Sequence, residues 1–319
     1  MKEVETIGAD LGGTKLAVGV MNAGAETTWK DEVPSRGYSQ EEVIDLLVRE
    51  VERARDARPA VAAVGLGIPA RIDFESGHAI DTVNLDFEEF PVKDLIEEKT
   101  GLPAFVDNDG NLAMMAEALY GAAKGARNAL MLTLGTGIGG GVWINGEIFR
   151  GTTGAGAELG HVVVEIDGPP CQGNCPGRGC VEVFASGTGI GRMGQEAAMA
   201  VPNSALGKVA ATGTAITARE VNDAAMAGDA AAIGVVERVG HYLGTALVSL
   251  SNIFEPEVIV LGGGAMALGE LILEPTRREI ASHALKPMDQ TPVVAAQLGP
   301  SAGMIGAASL ARAGIEGGL

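Results

Sequence analysis

Apolar and polar positions follow two periods along this chain. Val4 to Ala9 is a mostly apolar run of strand length, and Leu16 to Met21 is a second. Between them lies Asp10-Leu11-Gly12-Gly13-Thr14-Lys15, so the pattern predicts two strands joined by a glycine-rich turn. After Ser39 the period becomes helical. Val43, Ile44, Leu47, Val48 and Val51 fall on one face, and Ser39 with Glu42 forms a capping box ahead of them. Val61 to Leu66 reads as a buried strand ending at Gly67-Ile68-Pro69, and Ala104 to Val106 as another. Asn111 to Tyr120 reads as a helix that stops at Gly121.

Ala129 to Leu134 then repeats the opening plan. It runs into Gly135-Thr136-Gly137-Ile138-Gly139-Gly140-Gly141, and Val142 to Ile144 resumes the strand before the hairpin signal Asn145-Gly146. Thr217 and Glu220 form a second capping box. Asp229 caps a helix expected to reach about Asn252, Val258 to Leu261 is a strand ending at Gly262-Gly263-Gly264, and Met304 to Arg312 is helical. The repeated strand–turn–strand unit predicts two lobes on one plan, with their glycine turns facing each other across a cleft.

Composition supports that reading. A chain of 319 residues exceeds one ordinary core, and 46% hydrophobic against 20% charged residues is enough to build two. Only 4% is aromatic while 47 residues are glycine, which suits an α/β protein of aliphatic core and many tight turns. The net charge of −18 repels a phosphate backbone, and no dense Lys/Arg run offsets it, so no nucleic-acid partner is expected. Any polyanion site must therefore be built locally from backbone N–H groups, a few cations and a metal. Met1 to Glu5 alternates charge rather than opening a signal peptide, and no stretch suits a membrane span. The three cysteines crowd between Cys171 and Cys180, which fits a reduced cytoplasmic protein with a metal-binding loop better than a disulfide framework.

Gly135, Gly137 and Gly140 match G-x-G-x-x-G, but a dinucleotide loop must open a helix, and here strand and hairpin residues follow. No Walker A spacing occurs. Two hairpin turns with exposed N–H groups remain, and successive N–H groups make an anion nest that glycine lets a phosphate approach. Thr14 and Thr136 add hydroxyls, Lys15 a cation, and Asp10 a carboxylate placed to hold Mg²⁺ directly or through water.

Asp10 to Lys15, Gly67-Ile68-Pro69, Asn108-Asp109-Gly110-Asn111, Leu134 to Gly141 and Glu158-Leu159-Gly160-His161 together resemble the ROK family (repressor, open reading frame, kinase). The similarity is greatest to its bacterial glucokinases and covers nearly the whole chain. It implies a two-lobed actin-like ATPase (ribonuclease H-like) fold with an interlobe active-site cleft, and a homodimer or homotetramer. It also implies ATP-dependent phosphorylation of a hexose. The expected lobes are residues 1–113 plus 304–319, and 114–303. The implied ATP contacts are Asp10, Gly12, Gly13, Thr14, Lys15, Thr136, Gly137 and Gly263. The implied sugar contacts are Gly67, Asn84, Asn108, Asp109, Glu158, His161 and Glu182. By resemblance Asp109 is the catalytic base. Asp107 competes for that role, and the family's N-D-x-N pattern selects Asp109; the alternative for Asp109 is a helix cap.

His161, Cys171, Cys175 and Cys180 supply the four ligands of a closed structural zinc site, which would fix the loop carrying Glu158 and Glu182. Three residues separate the first two cysteines where the family usually has one. Ala157 and Ala70 stand where glycines are common, each changing the pocket wall by a methyl group. Glucose is the expected acceptor. Mannose, fructose or an N-acetylated amino sugar, and polyphosphate as donor, are alternatives within enzymes. A non-catalytic sugar-sensing regulator is the alternative outside them, disfavoured because the phosphate motif starts at Asp10 and leaves no room for a DNA-binding element.

Overall fold

The computed structural model describes residues 4–82 and 90–318. In chain order the elements are β1 (Glu5–Leu11), β2 (Lys15–Met21), β3 (Thr27–Pro34), α1 (Gln40–Ala57), β4 (Val61–Ile68), β5 (Ala70–Asp73), β6 (His78–Thr82) and α2 (Val92–Thr100). There follow β7 (Ala104–Asn108), α3 (Asp109–Tyr120), β8 (Ala129–Leu134), β9 (Ile138–Ile144), β10 (Glu147–Ile148), α4 (Val181–Ala185), α5 (Gly187–Ala200) and α6 (Ala205–Ala211). The last are α7 (Ala218–Met226), α8 (Ala230–Phe254), β11 (Val258–Gly262), α9 (Glu270–His283), β12 (Val293–Ala295) and α10 (Ala302–Glu316).

Two five-stranded sheets organise them, in the orders β3-β2-β1-β4-β7 and β10-β9-β8-β11-β12. In the first, β1 pairs antiparallel with β2 and parallel with β4, and β4 pairs parallel with β7. In the second, β11 runs parallel to both β8 and β12. The repeated plan expected from the sequence is present: each sheet has a glycine turn linking two consecutive strands, at residues 12–14 and 135–137. The chain divides into two compact units, one of Met1–Lys124, Gly141–Ala157 and Leu298–Leu319, the other of Gly125–Gly140 and Glu158–Gln297.

In the first unit the capping box is formed as expected. Ser39 N–H donates to Glu42 at 2.7 Å and Glu42 N–H to the Ser39 hydroxyl at 3.3 Å. The apolar face of α1 (Val43, Ile44, Leu47, Val51) is buried in one cluster with Ile7, Val18 and Val64 of the sheet. The C-terminal helix α10 lies so close to β1 and β4 that a Cβ at Gly65 would sit 1.8 Å from the Ala307 carbonyl, and one at Gly8 2.0 Å from that of Met304. Glycine at those two positions is what lets the last helix complete this unit.

In the second unit α8 starts at its Asp229 cap, which accepts from Ala232 N–H at 2.9 Å, and runs to Phe254. It packs on α9, with Gly240 admitting the ring of Pro275. Among the described residues no helix is long and apolar enough to cross a membrane.

Candidate active site

The parallel strands β1, β4 and β7 end side by side, and their register decides what meets there. Asp10 pairs with Gly67, Gly67 with Asp107, and Ile68 with Asn108. The carboxyl ends of parallel strands are where α/β proteins place ligand-contacting groups. The three consecutive polar residues then take three different tasks. Asp107 is buried, and its carboxylate is fully engaged: Arg150 Nε donates to Oδ2 at 2.8 Å, while Asn111 Nδ2 and Asn108 N–H donate to Oδ1 at 2.9 and 2.8 Å. The Arg150 guanidinium also lies 3.6 Å over the Phe74 ring. Asn108 is the N-cap of α3, its Oδ1 accepting from Gly110 N–H at 2.8 Å and its Nδ2 donating to the Ala70 carbonyl at 3.1 Å. The capping role weighed for Asp109 thus falls to its neighbour. Asp109, the first residue of α3, is half-buried and accepts from Gly110 N–H at 2.9 Å.

Asp10 sits beside it. Burial pushes the Asp10 carboxyl up to about 7, the negative charge of Asp109 adds to the effect, and Lys15 draws it back. Glycines make its room: a Cβ at Gly67 would lie 3.1 Å from Asp10 Oδ1, and one at Gly303 2.2 Å from Oδ2. Two hard carboxylates in one place are the donor chemistry that Mg²⁺ takes alongside phosphate oxygens, so these residues fit that ion.

The turn after β1 closes with Gly12 N–H donating to the Lys15 carbonyl at 2.8 Å. The Ser35 hydroxyl donates to the Gly12 carbonyl at 2.9 Å and Ser35 N–H to the Thr14 carbonyl at 3.1 Å. Gly13 and Thr14 are exposed, and a Cβ at Gly13 would meet nothing within 4 Å. Neither backbone angle nor packing calls for glycine there; close approach of a ligand would. Lys15 Nζ pairs with Glu32 at 3.0 Å on the surface.

In the second unit the turn after β8 borders a groove of about 710 Å³. Thr136, Thr188, Ile216, Thr217, Asn222 and Leu268 are among the residues lining it. These come from the turn, the start of α5, the segment opening α7 and the 3₁₀ turn after β11. Only Thr136 was legible beforehand. The others belong to no motif and meet through the fold, although the capping box at Thr217 marked where α7 begins. Gly263 is not in the lining, though Gly264 is; Gly263 has φ 87° and its missing Cβ would lie 2.5 Å from the Leu134 carbonyl. Gly137 is outside the lining too, and faces Glu182.

Leu159 to Cys180 forms a loop tied by isolated pairings of Val163 with Cys180 and Pro170 with Arg178. The ligand atoms of His161, Cys171, Cys175 and Cys180 all lie within 4.8 Å of one another. Tetrahedral zinc places such atoms roughly 3.3–3.8 Å apart, and Cys171 Sγ is 3.6 Å from His161 Nδ1. Gly177 N–H donates to Cys175 Sγ at 3.4 Å. Burial, with the Cys180 thiol beside it, pushes the Cys171 thiol up, and a divalent cation offsets such crowding. The set fits zinc, Cys171 included despite its longer spacing. The His161 ring has two faces: Nδ1 toward Cys171, and Nε2 3.9 Å from Glu158. Glu182 is buried and close to the same cluster, with Oε1 3.8 Å from Cys171 Sγ. Asn84 lies outside the described residues.

The structure therefore gathers Asp10, Gly67, Asn108 and Asp109 in one unit, and Glu158, His161, Glu182 and the cysteines in the other. Comparison with known proteins identifies the family of the chain. The chain is 36% identical over 313 residues to a glucokinase of Halalkalibacterium halodurans, covering 96% of this chain and 94% of that one. It superimposes on a ROK family glucokinase from Streptomyces griseus in complex with glucose and AMPPNP with a TM-score of 0.85, at 34% identity, covering 97% and 99% of the two chains. A xylose repressor of Bacillus spizizenii is 26% identical over 84% of this chain and 65% of its own length. The ROK family model matches residues 6–314, and with these relatives and its two-sheet actin-like architecture the chain belongs to the ROK family.

Proposed function

We propose that this protein transfers the γ-phosphoryl group of ATP to a hexose hydroxyl, with glucose as the acceptor and glucose 6-phosphate as the product. The observation that carries this reading is the division of labour at the end of β7. Asp107 is locked by Arg150 and Asn111, Asn108 caps the helix, and Asp109 stands beside Asp10 at a strand end. The full-length similarity to glucokinases, one of them holding glucose and AMPPNP, supports the substrates.

In this mechanism Asp109 takes the proton of the sugar hydroxyl as its oxygen attacks the γ-phosphorus. The bond from that phosphorus to the bridging oxygen of ADP breaks, and the proton remains on Asp109. A positioned base of this kind contributes about 10²- to 10⁴-fold. Asp10 would hold a magnesium ion, which would supply positive charge to offset that of the phosphates during transfer. The N–H groups of Gly12 to Lys15 and of Thr136 and Gly137 receive phosphate oxygens, and the groove walled by Ile216, Asn222 and Leu268 takes the adenosine. Gly67, Asn84, Asn108, Glu158, His161 and Glu182 hold the sugar hydroxyls. His161, Cys171, Cys175 and Cys180 would hold a structural zinc ion, which would fix the orientation of the His161 imidazole and of the loop carrying Glu158 and Glu182 toward the sugar. The protein acts in the cytoplasm as a homodimer or homotetramer.

The similarity to xylose repressors keeps a second reading, a sugar sensor that binds without transferring phosphate. ADP release from purified protein given Mg·ATP and a panel of hexoses separates the two. Turnover on glucose above the other sugars is expected. Turnover on another hexose corrects the acceptor, and none on any sugar, in folded and zinc-loaded protein, overturns the kinase reading.

A further inference from the structure

The turn after β8 is held from behind by residues of the cysteine loop and of α5. The Gly135 carbonyl accepts from Gly187 N–H at 2.7 Å, and the Thr136 carbonyl from the Thr188 hydroxyl at 3.0 Å. Gln172 Nε2, next in sequence to Cys171, reaches the same Thr136 carbonyl at 3.5 Å and the Ser186 hydroxyl at 3.1 Å. That hydroxyl in turn accepts from Gly189 N–H at 3.1 Å as the N-cap of α5. On the far side of the turn, Ile138 N–H donates to Glu182 Oε2 at 2.7 Å, while the other oxygen of Glu182 faces Cys171 Sγ. The contact with Glu182 is close enough that a Cβ at Gly137 would lie 2.5 Å from its Oε2.

These bonds have a directional consequence. In a trans peptide the carbonyl and the N–H point in opposite directions. Anchoring the carbonyls of Gly135 and Thr136 to α5 and the cysteine loop therefore turns the N–H groups of Thr136 and Gly137 away from them. Neither N–H has a partner among the described residues. A pair of N–H groups fixed in direction and left unpaired is an anion site whose affinity depends on how firmly its carbonyls are held.

We propose that the loop between Cys171 and Cys175 positions this turn for the phosphates of ATP, with Gln172 as the positioning residue on the loop. The inference rests on the nucleotide reading given above. Gln172 is the first of the three residues between Cys171 and Cys175, directly after a cysteine of the cluster. Zinc on Cys171 would hold the strut at one end, and Ser186 and Thr136 receive the other.

The test is calorimetric binding of AMPPNP and, separately, of glucose to the zinc-loaded full chain and its Gln172→Ala variant. Hydrogen exchange at residues 135–140 and steady-state kinetics are read on the same samples. Loss of one or two modest hydrogen bonds predicts AMPPNP binding about three- to tenfold weaker. KM for ATP should rise in proportion while kcat at saturating ATP and glucose affinity hold within about twofold, and exchange in the turn should quicken. Gln172→Glu, which keeps the length and removes the donor, should behave like the alanine variant. Equal AMPPNP affinity in wild type and both variants overturns the positioning role. Parallel losses of AMPPNP and glucose affinity overturn it as well, because they mark general loosening. Failure of the wild-type protein to bind AMPPNP at all instead overturns the nucleotide reading on which the inference rests.

Discussion

Replacing Arg150 with methionine removes the guanidinium from a carboxylate that has little water to turn to. The Asp107 side chain is 2% exposed and that of Arg150 18%. After the change Oδ1 keeps its two donors, Asn111 Nδ2 and Asn108 N–H, but Oδ2 loses the 2.8 Å bond from Arg150 Nε. Breaking a buried pair from one side typically costs about 3–5 kcal/mol. The partial exposure of Arg150 and the two surviving donors argue for the lower end, about 3 kcal/mol. For a chain of this size that corresponds to a drop in Tm of roughly 4–5 °C. Part of the loss comes from the stacking of Arg150 on Phe74, which methionine replaces only in its apolar share. Differential scanning calorimetry of wild type, Arg150→Met, Asp107→Asn and the double variant isolates the pair. With the charge of Asp107 already gone, the second change should cost at least about 1.5 kcal/mol less than it does alone. Catalysis should suffer too, because Asp107 braces the backbone N–H that precedes Asp109. Additive losses, or a single-variant cost below about 1 kcal/mol, would refute the argument that Asp107 is a brace secured by Arg150 and therefore not the base.

Two smaller perturbations test other parts of the account. Ala157 has φ 65°, a left-handed conformation that carries a Cβ penalty of about 1–2 kcal/mol. Ala157→Gly should therefore raise stability by about 0.5–1 kcal/mol after the entropy of glycine is subtracted, read as a higher urea midpoint; a lower midpoint would count against strain at this residue. Glu5 is buried, and hydrogen bonding from Arg58, at 3.0 Å from Nε to Oε2, holds its carboxyl below the usual 4.5. A depressed folded value means that the contribution is present above the ordinary carboxylate range and is lost as pH falls through the folded value. The stability gap between wild type and Glu5→Gln should accordingly be open at pH 7 and close on acidification below about pH 4; a gap independent of pH would contradict the pairing.

Much of this architecture can be read from the sequence where local chemistry and the final fold agree. The capping boxes at Ser39 and Thr217, the Asp229 cap and both glycine turns are of that kind. Elements that escape notice do so for physical reasons. β3 is an edge strand, half-exposed along its length, so Thr27–Pro34 carries no apolar alternation. α5 is rich in glycine and reads as loop; its Ser186 cap and close packing make it helical. α9 contains Pro275, which ordinarily ends a helix, and is accommodated where α8 offers Gly240. β5, β6 and α2 are short and only weakly periodic.

At the candidate site the motifs name Asp10, Asn108 and Asp109, but adjacent Asn and Asp compete equally for a cap, and only the geometry gives it to Asn108. The partners of Asp107 are likewise invisible beforehand, since Arg150 lies 43 residues away. The walls of the groove at Ile216, Asn222 and Leu268 are ordinary helix and turn residues, made a site only by convergence.

The most direct test of the central claim is a paired measurement on Asp109→Asn: ADP release with Mg·ATP and glucose, and glucose binding by calorimetry. Asparagine keeps the shape and the acceptor for Gly110 N–H but cannot take the hydroxyl proton. The expected result is kcat lower by about 10²- to 10⁴-fold, with glucose affinity within about threefold of wild type. Turnover within about tenfold of wild type would show that another group accepts the proton and would contradict the assignment of Asp109 as the base.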